Sequence, residues 1–154
     1  MRAMIQGSPS RIMRYVRRDD WRRAREAIMK ELRECPDDHW LLTTLALTYY
    51  EEHRYQMALR VSRKAVKLAP HCPLVLWDYA GALDMVGRER EAIEVWKKLL
   101  KRGVHSVAYG PCGEGLAYAW SLLNDSRYSI ACSYLDLGKV ALGIRYLRAH
   151  IAHR

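Results

Sequence analysis

The side chains with the most reactive chemistry in this chain are its thiols and imidazoles. Cys112 lies in the run Gly110-Pro111-Cys112-Gly113-Glu114-Gly115, with His105 shortly upstream. Glycines of this kind can form an anion-binding nest ahead of a helix, and a thiol beside a base can act as a nucleophile. No second base or orienting carboxylate accompanies the pair, so a flexible connector is the favoured reading of 110–115. Cys35, Cys72, Cys112 and Cys132 are scattered, with no CxxC pair and no histidine at metal-ligand spacing. The expectation is therefore no metal, no other cofactor, and four reduced thiols in a cytoplasmic protein. The chain also lacks HExxH, GxSxG and a phosphate loop ending in GKS or GKT. The acidic pairs Asp19-Asp20, Asp37-Asp38 and Glu51-Glu52 stand at turns and helix starts, where carboxylates complement the helix dipole. Together these features predict a protein that is not an enzyme.

Half of the 154 residues are apolar, enough for one domain with a real core. No apolar run approaches the roughly 18 residues of a membrane span. The opening segment MRAMIQGSPSRIMR lacks the apolar stretch of a secretory signal. Its arginines give residues 1–18 a faint likeness to a mitochondrial presequence, but the repeat described below gives them a better role. Net charge is +9 and is spread along the chain. Such a surface favours an acidic partner, or weak attraction to nucleic acid or anionic lipid. Arg11, Arg14, Arg17 and Arg18 recur at helical spacing and could track phosphates. A basic RNA- or ribosome-associated adaptor is one alternative on that ground. Asp19, Asp20 and Glu26 interrupt the run and no base-reading element accompanies it, so nucleic acid is disfavoured.

The elements that must position these residues follow from an internal repeat. Shifting the chain by 34 residues brings Leu42 onto Leu76, Ala46 onto Ala80, Arg54 onto Arg88 and Ala58 onto Ala92. The reverse shift places Ala24 under Ala58 and Pro36 under Pro70. Within one unit, Leu42, Leu45, Ala46 and Tyr49 fall on one face of a helix. A polar break at 51–54 follows, then a second helix carrying Met57, Ala58, Val61, Ala65 and Leu68, stopped at Pro70. Ala46, Ala58, Ala80 and Ala92 are small where two helices must approach closely.

The unit Leu42-x2-Leu45-Ala46-x2-Tyr49…Ala58-x3-Ser62…Pro70 resembles a tetratricopeptide (TPR) repeat. The next, Leu76-x2-Tyr79-Ala80-x2-Leu83…Ala92-x3-Trp96, resembles it too, with Gly87 at the turn. Less regular units precede and follow. The resemblance implies an all-α fold, a right-handed superhelix (solenoid) of antiparallel helical pairs. Its single domain spans 1–154, with units at about 5–38, 39–72, 73–106 and 124–154 and an insertion at 107–123. The first part of the 103–123 stretch reads as a loop, broken by Gly103, Gly110, Pro111, Gly113 and Gly115. From 114 a helical stripe resumes, and one long helix over 114–137 is favoured over a short helix ending before Asn124.

In such stacks the first helix of each pair lines a concave groove. If Leu42, Leu45, Ala46 and Tyr49 are core, the free face holds Trp40, Thr43, Leu47 and Tyr50. The matching sets are Leu74, Trp77, Gly81, Asp84 and Met85, then Asp125, Tyr128, Cys132 and Leu135, and in the opening unit Gln6, Pro9, Met13, Val16 and Arg17. Trp, Tyr and Met anchor binding interfaces, and Gly81 would let a ligand come close. The expected function is a non-enzymatic scaffold holding an extended or helical segment of a protein or peptide partner. The competing reading packs Trp40, Leu47, Trp77 and Tyr128 inside the stack or under the 103–113 loop.

TPR domains that grip a terminal carboxylate use Lys, Asn and Arg on this face. Here Thr43, Leu47 and Asp78 stand nearest, so that mode is not expected. Size and repeat number also resemble the small TPR chaperones of bacterial secretion systems, a second alternative. At the chain's end, Leu142, Tyr146 and Ile151 offer more apolar surface than one neighbouring helix covers, which suggests a homodimer through that end of the stack.

Overall fold

The structure, a computed structural model, describes residues 8–154, with side chains from residue 11 on. Gln6, the side chain of Pro9 and the start of the opening unit lie outside the described residues. Eight helices follow one another among them: α1 (Ser8–Val16), α2 (Trp21–Glu34), α3 (His39–Glu51), α4 (Tyr55–Leu68), α5 (Pro73–Met85), α6 (Glu89–Tyr109), α7 (Leu116–Asp136) and α8 (Val140–Ala152). No strand occurs among the described residues. Each helix packs chiefly on its neighbours in sequence, and α5 also reaches α3 and α7. This is an all-α solenoid of helical pairs.

The repeat is visible in the backbone. Asp19, His53, Gly87 and Gly138 hold positive φ angles of 54°, 60°, 78° and 71°, each at the turn inside a pair. At the same turns Asp20, Arg54, Arg88 and Lys139 donate backbone N–H bonds to the carbonyls of Tyr15, Tyr49, Leu83 and Tyr134. The left-handed residue reverses the chain, and the bond closes the first helix. Asp20 and Asp38 cap the helices that follow them, Asp38 accepting from the N–H groups of Trp40 and Leu41 at 2.8 and 3.1 Å.

Small residues set the helix spacing. Ala24, Ala58 and Ala92 are essentially inaccessible, and Gly143 takes the same place in α8. A Cβ on Gly143 would sit 2.7 Å from the Leu135 side chain, so the last pair closes tighter than an alanine allows. On the partner helices Ile12, Ala46, Ala80 and Ala131 are buried in turn. Two core clusters result. One joins α1–α4 to the start of α5 around Ile12, Ile28 and Leu41. The other runs from α4 to α7 around Leu83, Trp96, Leu99 and Ile130.

The stretch expected as a loop from residue 103 differs. Gly103 takes φ 76° and ψ 163°, which breaks α6, but residues 104–109 then return to helix. Val107 and Ala108 on that last piece are buried in the main core, and this burial favours a helical turn over an open loop. Only 110–115 is non-helical, and it folds closely back on α6. Gly115 donates to the Ala108 carbonyl, and a Cβ on Gly110 or Gly113 would fall 2.4 or 2.2 Å from a carbonyl oxygen of that helix. A freely flexible connector does not describe it. Beyond it α7 is one continuous helix.

Candidate functional site

Five of the groove residues named from sequence meet in one cavity of about 200 Å³. Leu47 and Tyr50 come from α3, and Trp77, Gly81 and Asp84 from α5. Their spacings of three and four residues place them along one stripe of each helix. Ala58 and Ser62 of α4 and Trp96 of α6 close the back, and Ser129 of α7 forms the far side. Gly81 opens the floor: a Cβ there would meet Tyr50 Cε2 only at 3.9 Å.

The polar groups of this cavity are unusual. Its charged lining residues are Glu51, Asp78 and Asp84, all acidic. Asp78 keeps part of its surface toward the cavity while protein surrounds it closely, and burial pushes its carboxyl up to about 7. Burial also raises Asp84, against the pull of the Ser133 hydroxyl that donates to it at 2.6 Å, while Glu89 and Asp136 push it further up. The indole N–H groups of Trp77 and Trp96 are buried with no acceptor among the described residues. The floor thus offers carboxyl groups within aromatic walls, and the two indole donors lie behind its surface. The +9 of the whole chain pointed to an acidic partner; the floor carries the opposite sign, because the basic residues lie elsewhere on the stack. From sequence, Asp78 stands on this face only by likeness to the carboxylate-gripping mode and is absent from the groove residues read from helical spacing. Its signal was there: α5 is apolar throughout except for Asp78 and Asp84.

A second cavity, about 300 Å³, holds three more of the named residues. Trp40, Thr43 and Leu74 line it together with His39, Cys72, Val75 and residues 112–114. These lie under the 110–115 loop and not on an open groove, as the competing reading had it for Trp40. The Thr43 hydroxyl is buried and unpartnered. Three side chains far apart in sequence converge here. His39 Nε2 stands 3.5 Å from Cys112 Sγ, and the ligand atoms of His39, Cys72 and Cys112 all lie within 4.8 Å of one another. Linear spacing could not show this, since each comes from a different part of the chain. The imidazole beside Cys112 is His39; His105 lies against the Tyr109 ring instead. Burial pushes the Cys72 thiol up to about 11, opposed by the backbone N–H of Val75.

The remaining named residues lie outside both cavities. Met85 is exposed near the end of α5. Tyr128 is half exposed and lies beside the His150 ring of α8, and Cys132 is partly buried one turn on. The α7 residues that face the groove are Ser129, in the cavity wall, and Ser133, bonded to Asp84. The α7 face was therefore assigned one residue too early, about 100° around the helix. At the chain's end Leu142 and Tyr146 pack on the main core, Tyr146 against Tyr134 at 5.7 Å between ring centroids. Ile151 is exposed, as are Val140 and Ile144.

None of the described helices is long and apolar enough to cross a membrane. No protein-family model matches the chain, and no curated protein matches it in sequence. Solved structures do share its fold. MamA AMB-1 in the P212121 form superimposes with a TM-score of 0.69 at 22% identity, over 92% of this chain and 74% of that one. MamA MSR-1 in the C2 form gives 0.65 at 22% identity, over 90% and 70%. The C2221 form of MamA AMB-1 gives 0.65 at 23%, over 91% and 72%. At such identity the likeness is one of fold, and the chain is similar to these helical-repeat solenoids over nine-tenths of its length.

Proposed function

We propose that this chain is a TPR-like, non-enzymatic scaffold that holds an extended or helical segment of a partner protein across α3 and α5, with one lysine or arginine of that segment entering the floor. The observation that carries this is the aromatic cavity whose charged lining residues are all acidic. A basic side chain would match Asp78, Asp84 and Glu51, and Trp77 and Tyr50 suit a cation against their faces. Gly81 provides the room.

The same groove would serve a secretion chaperone, so that alternative differs in the partner and not in the site. Phosphates would be repelled at this floor, which weakens the RNA-adaptor reading there. A cytoplasmic setting suits the free thiols.

The test is selection from a random peptide library displayed on phage, with the full chain as bait. Wild type should enrich peptides with a lysine or arginine at a fixed position beside apolar residues. Trp77→Ala and Gly81→Leu should lose that enrichment while keeping their helicity. Equal enrichment by all three, or selection without a basic position, would sink the proposal.

A further inference from the structure

We propose that His39, Cys72 and Cys112 bind a zinc ion in the second cavity, with a fourth coordination position open toward the space lined by Thr43 and Glu114. The proposal is independent of the groove function, which uses other residues.

Geometry comes first. In a tetrahedral zinc site with bonds of about 2.3 Å to sulfur and 2.0–2.1 Å to nitrogen, a sulfur and a nitrogen ligand stand about 3.5 Å apart. His39 Nε2 and Cys112 Sγ stand 3.5 Å apart. Cys72 brings the third ligand atom, all three lying within 4.8 Å of one another, so a small rotation of side chains completes the set. Two thiolates and a neutral imidazole suit zinc by softness, and the thiolates balance the charge of the ion. As each Zn–S bond forms, the thiol's proton passes to solvent; the imidazole binds neutral through Nε2 and keeps its proton on Nδ1.

The backbone around the ligands is arranged for this. Cys72 is the residue just before α5, with its sulfur near the first-turn N–H groups of Leu74 and Val75 and no capping bond to them. The positive end of the helix dipole there favours a metal-bound thiolate. Cys112 sits at φ 57°, a left-handed conformation rare for a residue with a side chain and one that recurs where a ligand is clamped. The tight fit of Gly110 and Gly113 against α6 fixes it there. An independent observation points to an occupant. Thr43 lines the same cavity, is 4% exposed, and has a hydroxyl with no partner, a hydrogen-bonding group for a water on the open position. Bound zinc would pin the 110–115 loop across the starts of α3 and α5.

The experiment uses the full chain purified under reducing conditions without chelator. Zinc is measured by plasma mass spectrometry, and cobalt is then substituted for its absorption spectrum. Wild type and Cys35→Ser should carry one zinc per chain and give the intense visible bands of tetrahedral cobalt with thiolate charge transfer. Cys112→Ser, Cys72→Ser and His39→Gln should lose the stoichiometric ion. Cys112 is exposed, so its replacement by serine removes nothing from the core, and unchanged helicity of that variant separates ligand loss from unfolding. A reduced wild type without zinc or tetrahedral cobalt would overturn the proposal. So would equal zinc in wild type and Cys112→Ser, or a Cys72–Cys112 disulfide persisting through reducing purification.

Discussion

Asp78 shows how one side chain can trade stability for a binding surface. Its folded value of about 7 stands above the ordinary 3.8 because burial penalises the carboxylate. Between about pH 4 and pH 7 the unfolded chain has released a proton that the folded chain still holds. Stability from this group is thus complete at low pH, falls as pH rises through that window, and is level above it. Asp78→Asn keeps the shape and removes the titration. It should raise stability by on the order of 2 kcal/mol at pH 8, leave it unchanged near pH 4, and flatten the profile between. Urea unfolding at a series of pH values checks this, and an unchanged slope would show that the carboxylate is well solvated. Gly81 makes the same trade through the backbone. A helix-interior glycine costs about 0.5–1 kcal/mol relative to alanine. Since the added methyl would meet Tyr50 only at ordinary contact distance, Gly81→Ala should stabilise the chain by about that much. It should also weaken peptide binding by shrinking the cavity. A variant that gained stability and kept full affinity would separate the glycine from binding.

Among the elements, α6 departs from its sequence reading in a way that the structure explains. Gly103 sits at φ 76° and ψ 163°, a region that is essentially closed to residues with a Cβ. Space is no obstacle, since nothing lies within 4 Å of a Cβ there; the cost is in the backbone. Gly103→Ala should therefore destabilise by about 1–3 kcal/mol, read as a lower thermal midpoint, and Gly103→Asn should lose as much, because asparagine's tolerance of positive φ is confined to the left-handed helical region. A much milder loss for asparagine would show that the backbone relaxes into that region instead. Helical pairs were legible because their signals are local: the alanines at 58 and 92 and the left-handed turn at 87 repeat with the period itself. Most of the groove on α3 and α5 followed from that periodicity. Residues 104–109 were illegible as helix because their reason is distant, in the burial of Val107 and Ala108 against the main core. The α7 face was misjudged by one residue because the extra turns before it remove the phase reference that the 34-residue shift supplies. The convergence of His39, Cys72 and Cys112 depends on three separate elements, so no spacing in the sequence could announce it.

At the scale of the whole molecule, a stack in which each helix leans on its neighbours has stability that varies along its length. The two core clusters differ in size, and Tyr49 is packed against both. Between them an ion pair from Arg25 to Glu52 at 2.7 Å, with Arg25 and Arg54 over the Tyr49 ring, ties α2, α3 and α4 together. At the ends this support thins: α1 buries Ile12, and α8 buries only Gly143 fully. Amide hydrogen exchange should consequently be fastest in α1 and α8 and slowest in α6 and α7. A core deletion distinguishes a stack from a single cooperative unit. Leu99 is fully buried in the larger cluster, so Leu99→Ala should cost about 2–5 kcal/mol. If stability is passed between neighbours, protection should fall most in α5–α8 while α2–α4 keep more of theirs. Uniform loss along the chain would mean that the shared Tyr49 contact and the Arg25 tie couple the two clusters into one folding unit, and binding at the α3–α5 groove would then stabilise both ends equally.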